Sequence, residues 1–268
     1  MIEIAKAILL GVVEGVTEFL PISSTGHLIL VDQVVKLAGS REFVSSFEVV
    51  IQLGAILAVV VLYFGELWPF GREGIRKNVL SLWGLVLLGT LPAFALGFLL
   101  DDWIDAHFFT PLVVSITLVG YGVILLVVER WGKERFSHGK TLENLNWREA
   151  LGVGVFQCLA LVPGTSRSLA TILGGLLLGL SRESAARFSF FLAIPVMVGA
   201  SGLKLVKHAG GFGTQEMVVL GVGFLVSFVV AWLAIRFLMA YIQKHDFKLF
   251  GYYRILLGMI VLIVLGMQ

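Results

Sequence analysis

Two carboxylates four residues apart, Glu14 and Glu18, run directly into Pro21-Ile22-Ser23-Ser24-Thr25-Gly26-His27. On a helix this spacing puts both acids on one face. In apolar surroundings two such carboxylates share a proton, bind a cation or pair with a basic group. The Pro-bounded run reads as a new helix start: Ser or Thr caps it, Gly relieves the turn, and the free N–H groups form a site suited to phosphate. Ser24 and His27 are three apart, close enough for the imidazole to accept the hydroxyl proton. Ser23, Thr25 and Gly26 are phosphate-binding candidates, with helix capping the competing role for Ser23 and Thr25. Glu48 is a candidate third acid.

A second run, Gly154-Val-Phe-Gln157 through Pro163-Gly164-Thr165-Ser166-Arg167-Ser168, echoes Gly11 to His27 with one residue fewer. It adds a cation. Arg167 offers a planar donor fork that matches a phosphoryl group gaining charge, with Thr165, Ser166 and Ser168 beside it. With Gly11 set against Gly154 before the break and Pro21 against Pro163 after it, the runs put Gln157 opposite Glu14, Leu161 opposite Glu18, Arg167 opposite Thr25 and Leu169 opposite His27. Further on, Ser46-Phe47-Glu48 stands opposite Arg187-Phe188-Ser189. The positions that differ are largely the ionisable ones, which predicts an asymmetric site in a symmetric frame, with acids and His from one half and the cation from the other. Thr171 reads as helix packing, and Arg182 and Arg187 as interfacial anchors.

The elements that must position these residues are apolar. The chain of 268 residues is 58% hydrophobic and only 14% charged, with mean hydropathy +0.95, which predicts an integral membrane protein. A net charge of +2 from dispersed basic residues argues against nucleic acid as a partner. The single cysteine, Cys158, excludes an intrachain disulfide and a multi-cysteine metal site. Segments at 44–64, 79–100, 112–129, 188–205, 217–240 and 251–267 reach or approach spanning length. Segments 4–20 and 149–162 are shorter, carry polar groups and break at the two motifs; such breaks survive at membrane depth only inside protein or against a water-filled cavity. Glu14 and Glu18 also mark the first of them as mature structure rather than a cleaved leader. The expected fold is an all-α polytopic membrane protein, one domain over 1–268, with repeats at about 1–130 and 148–268, two re-entrant helical hairpins and six transmembrane helices.

Arg72, Arg76 and Lys77, then Arg130, Lys133, Arg135, Lys140 and Arg148, then Lys244 and Lys248 fall in connections on one side. Asp101, Asp102 and Asp105 fall on the other, with Lys204 and Lys207 as exceptions. The positive-inside rule places the first group in the cytoplasm. Three spans per half then invert the second repeat relative to the first, so that the hairpins enter from opposite leaflets and meet near the midplane.

Glu14-x-x-x-Glu18 with Pro21 to His27, and Pro163-Gly-x-Ser-Arg-Ser-x-x-Thr171, together resemble the undecaprenyl-pyrophosphate phosphatase family associated with bacitracin resistance, across essentially the whole chain. The resemblance implies a bacterial plasma-membrane (inner-membrane) enzyme that removes the terminal phosphate from undecaprenyl diphosphate, a polyisoprenyl lipid. It also implies an outward-opening site, dimerisation and dependence on a divalent cation such as Mg2+ or Ca2+. Glu14 and Glu18 would hold that cation or orient His27. Attack on phosphorus is open to Ser24, to His27 or to water activated by His27. A lipid-phosphate or ion-coupled transporter is the competing class, since inverted repeats with midplane breaks also serve alternating access.

Overall fold

A computed structural model describes the backbone of residues 1–32, 34–72, 74–208 and 212–266, and their side chains except at 101, 102, 105, 133, 200, 203–208, 265 and 266. The expected side chains of Asp101, Asp102, Asp105, Lys133, Lys204 and Lys207 therefore lie outside the described residues.

The helices are α1 (Ile2–Thr17), α2 (Ser24–Asp32), α3 (Arg41–Leu62), the short α4 (Phe64–Leu67), α5 (Lys77–Phe108), α6 (Pro111–Trp131), the short α7 (Lys133–Ser137), α8 (Trp147–Gln157), α9 (Arg167–Leu177), α10 (Arg182–His208), α11 (Thr214–Ile242) and α12 (Lys248–Gly266). A two-residue hairpin, β1 (Phe70–Gly71) with β2 (Gly74–Ile75), lies between α4 and α5. Local chemistry sets several starts. Ser40 accepts from the Phe43 amide to open α3, and Thr110 caps α6 with Pro111 just inside it. Asn146 and Glu149 form a reciprocal capping box at α8.

The protein is all-α and polytopic. Among the described residues four helices are long and apolar enough to cross a membrane: Arg41–Leu62, Lys77–Leu100, Pro111–Trp131 and Thr214–Ile242. Their outward faces carry side chains such as Leu87, Phe94, Phe98, Leu225 and Phe237, exposed as only a lipid solvent favours. The other two expected spans lie in α10 and α12, each of which ends in side chains outside the described set. By contrast α1, α2, α8 and α9 are short: nine residues of α2 rise about 14 Å, half of a hydrocarbon core.

Close helix approach rests on small residues. A Cβ at Gly15 of α1 would lie 2.8 Å from the Ser227 carbonyl of α11. One at Gly122 of α6 would lie 2.9 Å from the Gly251 carbonyl of α12, so these backbones meet directly. The strongest packings are α6 with α12, α3 with α11, α1 with α11, α5 with α8 and α3 with α10. At the centre is α9, in which every residue from Ser168 to Leu176 is buried.

Two expectations are corrected. Arg182 is no interfacial anchor: it is 7% exposed and grips the fully buried Glu129 through Nε (2.9 Å) and Nη2. Its Nη1 also donates to Ser137. The repeat register also shifts by one. Ser23 and Ser166 are the only described non-glycine residues with positive φ, 75° and 74°, and each immediately precedes a helix, at Ser24 and Arg167. By place in its break, Ser24 rather than Thr25 stands where Arg167 does, as the first residue of a helix after a positive-φ serine. Proline alignment misled because Pro21 and Pro163 stand two and three residues before these serines.

Candidate active site

The first break begins where α1 ends, at Glu18, whose amide bonds to the Glu14 carbonyl at 2.9 Å. Phe19, Leu20 and Ile22 are buried, fixing the peptide path into the bundle. Ser23 then takes a backbone conformation that L residues pay about 1–3 kcal/mol to adopt. Its hydroxyl accepts from the Gly26 amide at 3.2 Å, capping α2. The second break repeats the device: Ser166 accepts from the Leu169 amide at 3.4 Å and caps α9. Before it, Gly164 has φ +86°, and a Cβ there would meet the Val114 carbonyl at 2.8 Å.

The two breaks are joined by three sets of bonds. Ser168 donates to the Leu20 carbonyl at 3.0 Å and bonds to the Ser166 hydroxyl at 3.0 Å. Arg167 Nη2 meets Glu18 Oε1 at 3.3 Å, while its Nη1 donates to the Ser189 carbonyl at 2.8 Å. Arg254, on α12 and 0% exposed, donates to the Gly164 carbonyl at 2.8 Å and the Pro21 carbonyl at 3.5 Å. The Thr117 hydroxyl of α6 secures the second break through the Pro163 carbonyl at 2.7 Å.

Glu18 is the pivot. Its Oε2 accepts from the Ser24 hydroxyl at 2.9 Å, while its other oxygen holds Arg167. Ser24, Glu18 and Arg167 thus form one continuous chain across the two halves. The spacing expectation that His27 would receive the Ser24 proton is not met here. His27 Nδ1 lies 2.7 Å from the Ser23 carbonyl, and since a carbonyl only accepts, Nδ1 carries the hydrogen. The other nitrogen, Nε2, lies 2.6 Å from the Tyr253 hydroxyl.

Glu14 is fully buried, with its carboxyl group set against that of Glu18. Its charged neighbours are Glu18, Glu48 and Arg167. Glu48 is exposed on α3 and borders a small cavity with Leu10, Leu28 and Asp32. Gly26 is buried against Leu118, Thr25 is half-buried, and Thr165 is fully buried. Among the described residues no three His, Cys, Asp or Glu side chains converge as a metal cage. The neighbouring Glu14 and Glu18 carboxyls offer oxygen ligands of the kind a hard cation takes.

Sequence reasoning missed Ser189, Thr117, Tyr253 and Arg254. Arg254 had a readable signal, a cation inside an apolar segment; the others look like ordinary helix residues until the fold brings them in. Together the groups supply a hydroxyl on a carboxylate, a guanidinium on the same carboxylate, and two helix N-termini with free N–H groups. That combination can bind a phosphoryl group and transfer it.

Residues 7–260 match the family profile of the bacitracin resistance protein BacA. The chain is 52% identical over 265 residues to undecaprenyl-diphosphatase 1 of Oenococcus oeni, covering 97% of this chain and 95% of that protein. It is 53% identical over 266 residues to the undecaprenyl-diphosphatase of Acetivibrio thermocellus, with 98% of each chain covered. It is 50% identical over 268 residues to that of Enterococcus faecalis, covering 98% and 97%. With nearly its whole length matched in this way, the chain belongs to the bacitracin resistance protein BacA family.

Proposed function

We propose that this protein hydrolyses undecaprenyl diphosphate to undecaprenyl phosphate and inorganic phosphate, returning the lipid carrier to cell-wall polymer synthesis. The observation that carries the reading is the chain from Ser24 through Glu18 to Arg167. The diphosphate enters between the two helix N-termini while the isoprenoid tail stays in lipid, which accounts for a phosphatase this apolar. Ser24 Oγ attacks the terminal phosphorus and its proton passes to Glu18. The bond to the bridging oxygen breaks, and undecaprenyl phosphate leaves. Water then cleaves the phosphoserine, Glu18 returns the proton to Ser24, and inorganic phosphate departs. Arg167 and the free amides of α2 and α9 stabilise the charge that develops on the transferring oxygens. A divalent cation, Mg2+ or Ca2+, would be held by Glu14 with the substrate's own oxygens and would neutralise diphosphate charge.

The same reading includes six spans, two re-entrant hairpins and inverted repeats at about 1–130 and 148–268. Helix packing supports it: α1 on α11 answers α8 on α5, α3 on α11 answers α10 on α5, and α6 with α12 and α3 with α10 pair counterparts. The basic connections support a membrane orientation with those loops in the cytoplasm, and the family resemblance implies an inner-membrane site that opens outward. A pure transporter is disfavoured by the lopsided chemistry of the two halves, where Ser24 faces Glu18 and its counterpart is Arg167. The test is phosphate release from undecaprenyl diphosphate by purified protein in detergent. Stoichiometric release supports the reading, and movement of the lipid across a vesicle membrane without release overturns it.

A further inference from the structure

We propose that the Tyr253 hydroxyl is a positioning residue for the reactive nitrogen of His27, donating to Nε2 when the ring is neutral and accepting from it when the ring is protonated. The argument starts at the first break. The Ser23 carbonyl, on a residue whose φ is 75°, lies 2.7 Å from Nδ1. It accepts a hydrogen in either charge state of the ring, so Nδ1 stays protonated throughout and every gain or loss of a proton occurs at Nε2. The partner of Nε2 is the Tyr253 hydroxyl, 2.6 Å away. A phenol is both donor and acceptor, so turning its O–H serves both states without moving either ring.

The surroundings hold this arrangement in place. The rings of His27 and Tyr253 lie 5.5 Å apart between centroids and within 8° of parallel. The next residue, Arg254, pins α12 to the carbonyls of both breaks, which sets where Tyr253 can stand. Tyr253 is 41% exposed and His27 half-buried, so the bonded pair stands in reach of the medium that supplies or takes the proton. Ser24 is held by Glu18 instead. His27 is thereby left for a second proton transfer, such as protonating the departing phosphate oxygen or activating the water that follows.

The link to turnover rests on the phosphatase reading; the hydrogen bond does not. Tyr253→Phe keeps the ring contact and deletes only the hydroxyl. Ring nitrogens of the five histidines are labelled with ¹⁵N in protein reconstituted in liposomes, and His27→Gln identifies the His27 signals. The expected result is that Tyr253→Phe moves the Nε2 resonance to that of an unbonded imidazole nitrogen and leaves the Nδ1 resonance in place. Turnover should fall by about tenfold in kcat with KM unchanged, the worth of one hydrogen bond in the chemical step. An unchanged Nε2 resonance, or a changed one with full kcat, overturns the proposal. Because the Nδ1 signal and the melting temperature report folding, a misfolded variant is recognised, and Tyr253→His then supplies the second test: restored bonding at Nε2 should restore kcat. Should wild-type protein release no phosphate at all, the phosphatase reading fails while the resonances still decide the hydrogen bond.

Discussion

Glu18 and Arg167 come from opposite halves of the chain, and removing Glu18 alone should cost more than removing both. Their charged groups meet at 3.3 Å with side chains only 10% and 12% exposed. Leaving one partner of a buried pair alone costs about 3–5 kcal/mol, whereas replacing both with neutral groups of similar volume is close to neutral. The two single losses should also differ. A carboxylate left alone can take up a proton, but a guanidinium stays charged. Glu18→Gln leaves Arg167 without its ion-pair partner, held by the Ser189 carbonyl and the Phe19 ring, 5.7 Å from its centre, with Glu14 the remaining acid nearby. Glu18→Gln should therefore destabilise by about 3 kcal/mol or more, Arg167→Met by less, and the double variant by less than Glu18→Gln alone. Thermal unfolding in one detergent reads the stabilities. Phosphate release reads the chemistry, where each single variant should lose about 10²–10³ in kcat and the double no more than the worse single. Additive stability losses, or rate losses that multiply, would refute the idea that the two residues act as a unit.

Gly164→Ala should cost about 2–5 kcal/mol, combining positive φ with a Cβ 2.8 Å from the Val114 carbonyl. Gly26→Ala, whose Cβ meets the flexible ends of Leu118 at 3.1 Å and Leu257 at 3.6 Å, should cost about 1 kcal/mol; equal melting shifts would contradict this ranking. Arg254→Met keeps apolar volume and removes a buried cation, so stability should stay within about 2 kcal/mol. Turnover should still collapse as the breaks lose their tie, and full activity would remove Arg254 from the site's architecture. Glu14→Gln replaces a fully buried carboxyl group with an amide of the same shape. It should lower turnover and abolish the response to added Mg2+; a variant that responds to Mg2+ like wild type would end the cation role of Glu14.

The site was legible where chemistry and spacing coincide. Glu14, Glu18, Ser24, His27 and Arg167 stand out because ionisable and hydroxyl residues are costly in apolar segments, and the two breaks announce themselves through Pro, Gly and Ser. Partner choice was not legible. Ser24 lies three residues from His27 and six from Glu18, yet the left-handed φ of Ser23 turns α2 so that the hydroxyl reaches back to Glu18. The same turn sends the imidazole to Tyr253, 226 residues away. Arg182 read as an anchor because Glu129, its buried partner, is 53 residues distant in sequence. The long apolar helices were visible from hydropathy alone, but the repeat register was not. Proline alignment gave a one-residue error that only the two positive-φ serines resolve.

The central claim is that Ser24, deprotonated by Glu18, attacks the terminal phosphorus. Purified protein is mixed with undecaprenyl diphosphate carrying ³²P in its terminal phosphate, quenched on the millisecond scale, and digested so that the labelled peptide can be mapped. The account predicts acid-stable label on Ser24, reduced in Glu18→Gln and absent in Ser24→Ala. Label on His27, or turnover with no labelled protein at any quench time, would contradict it.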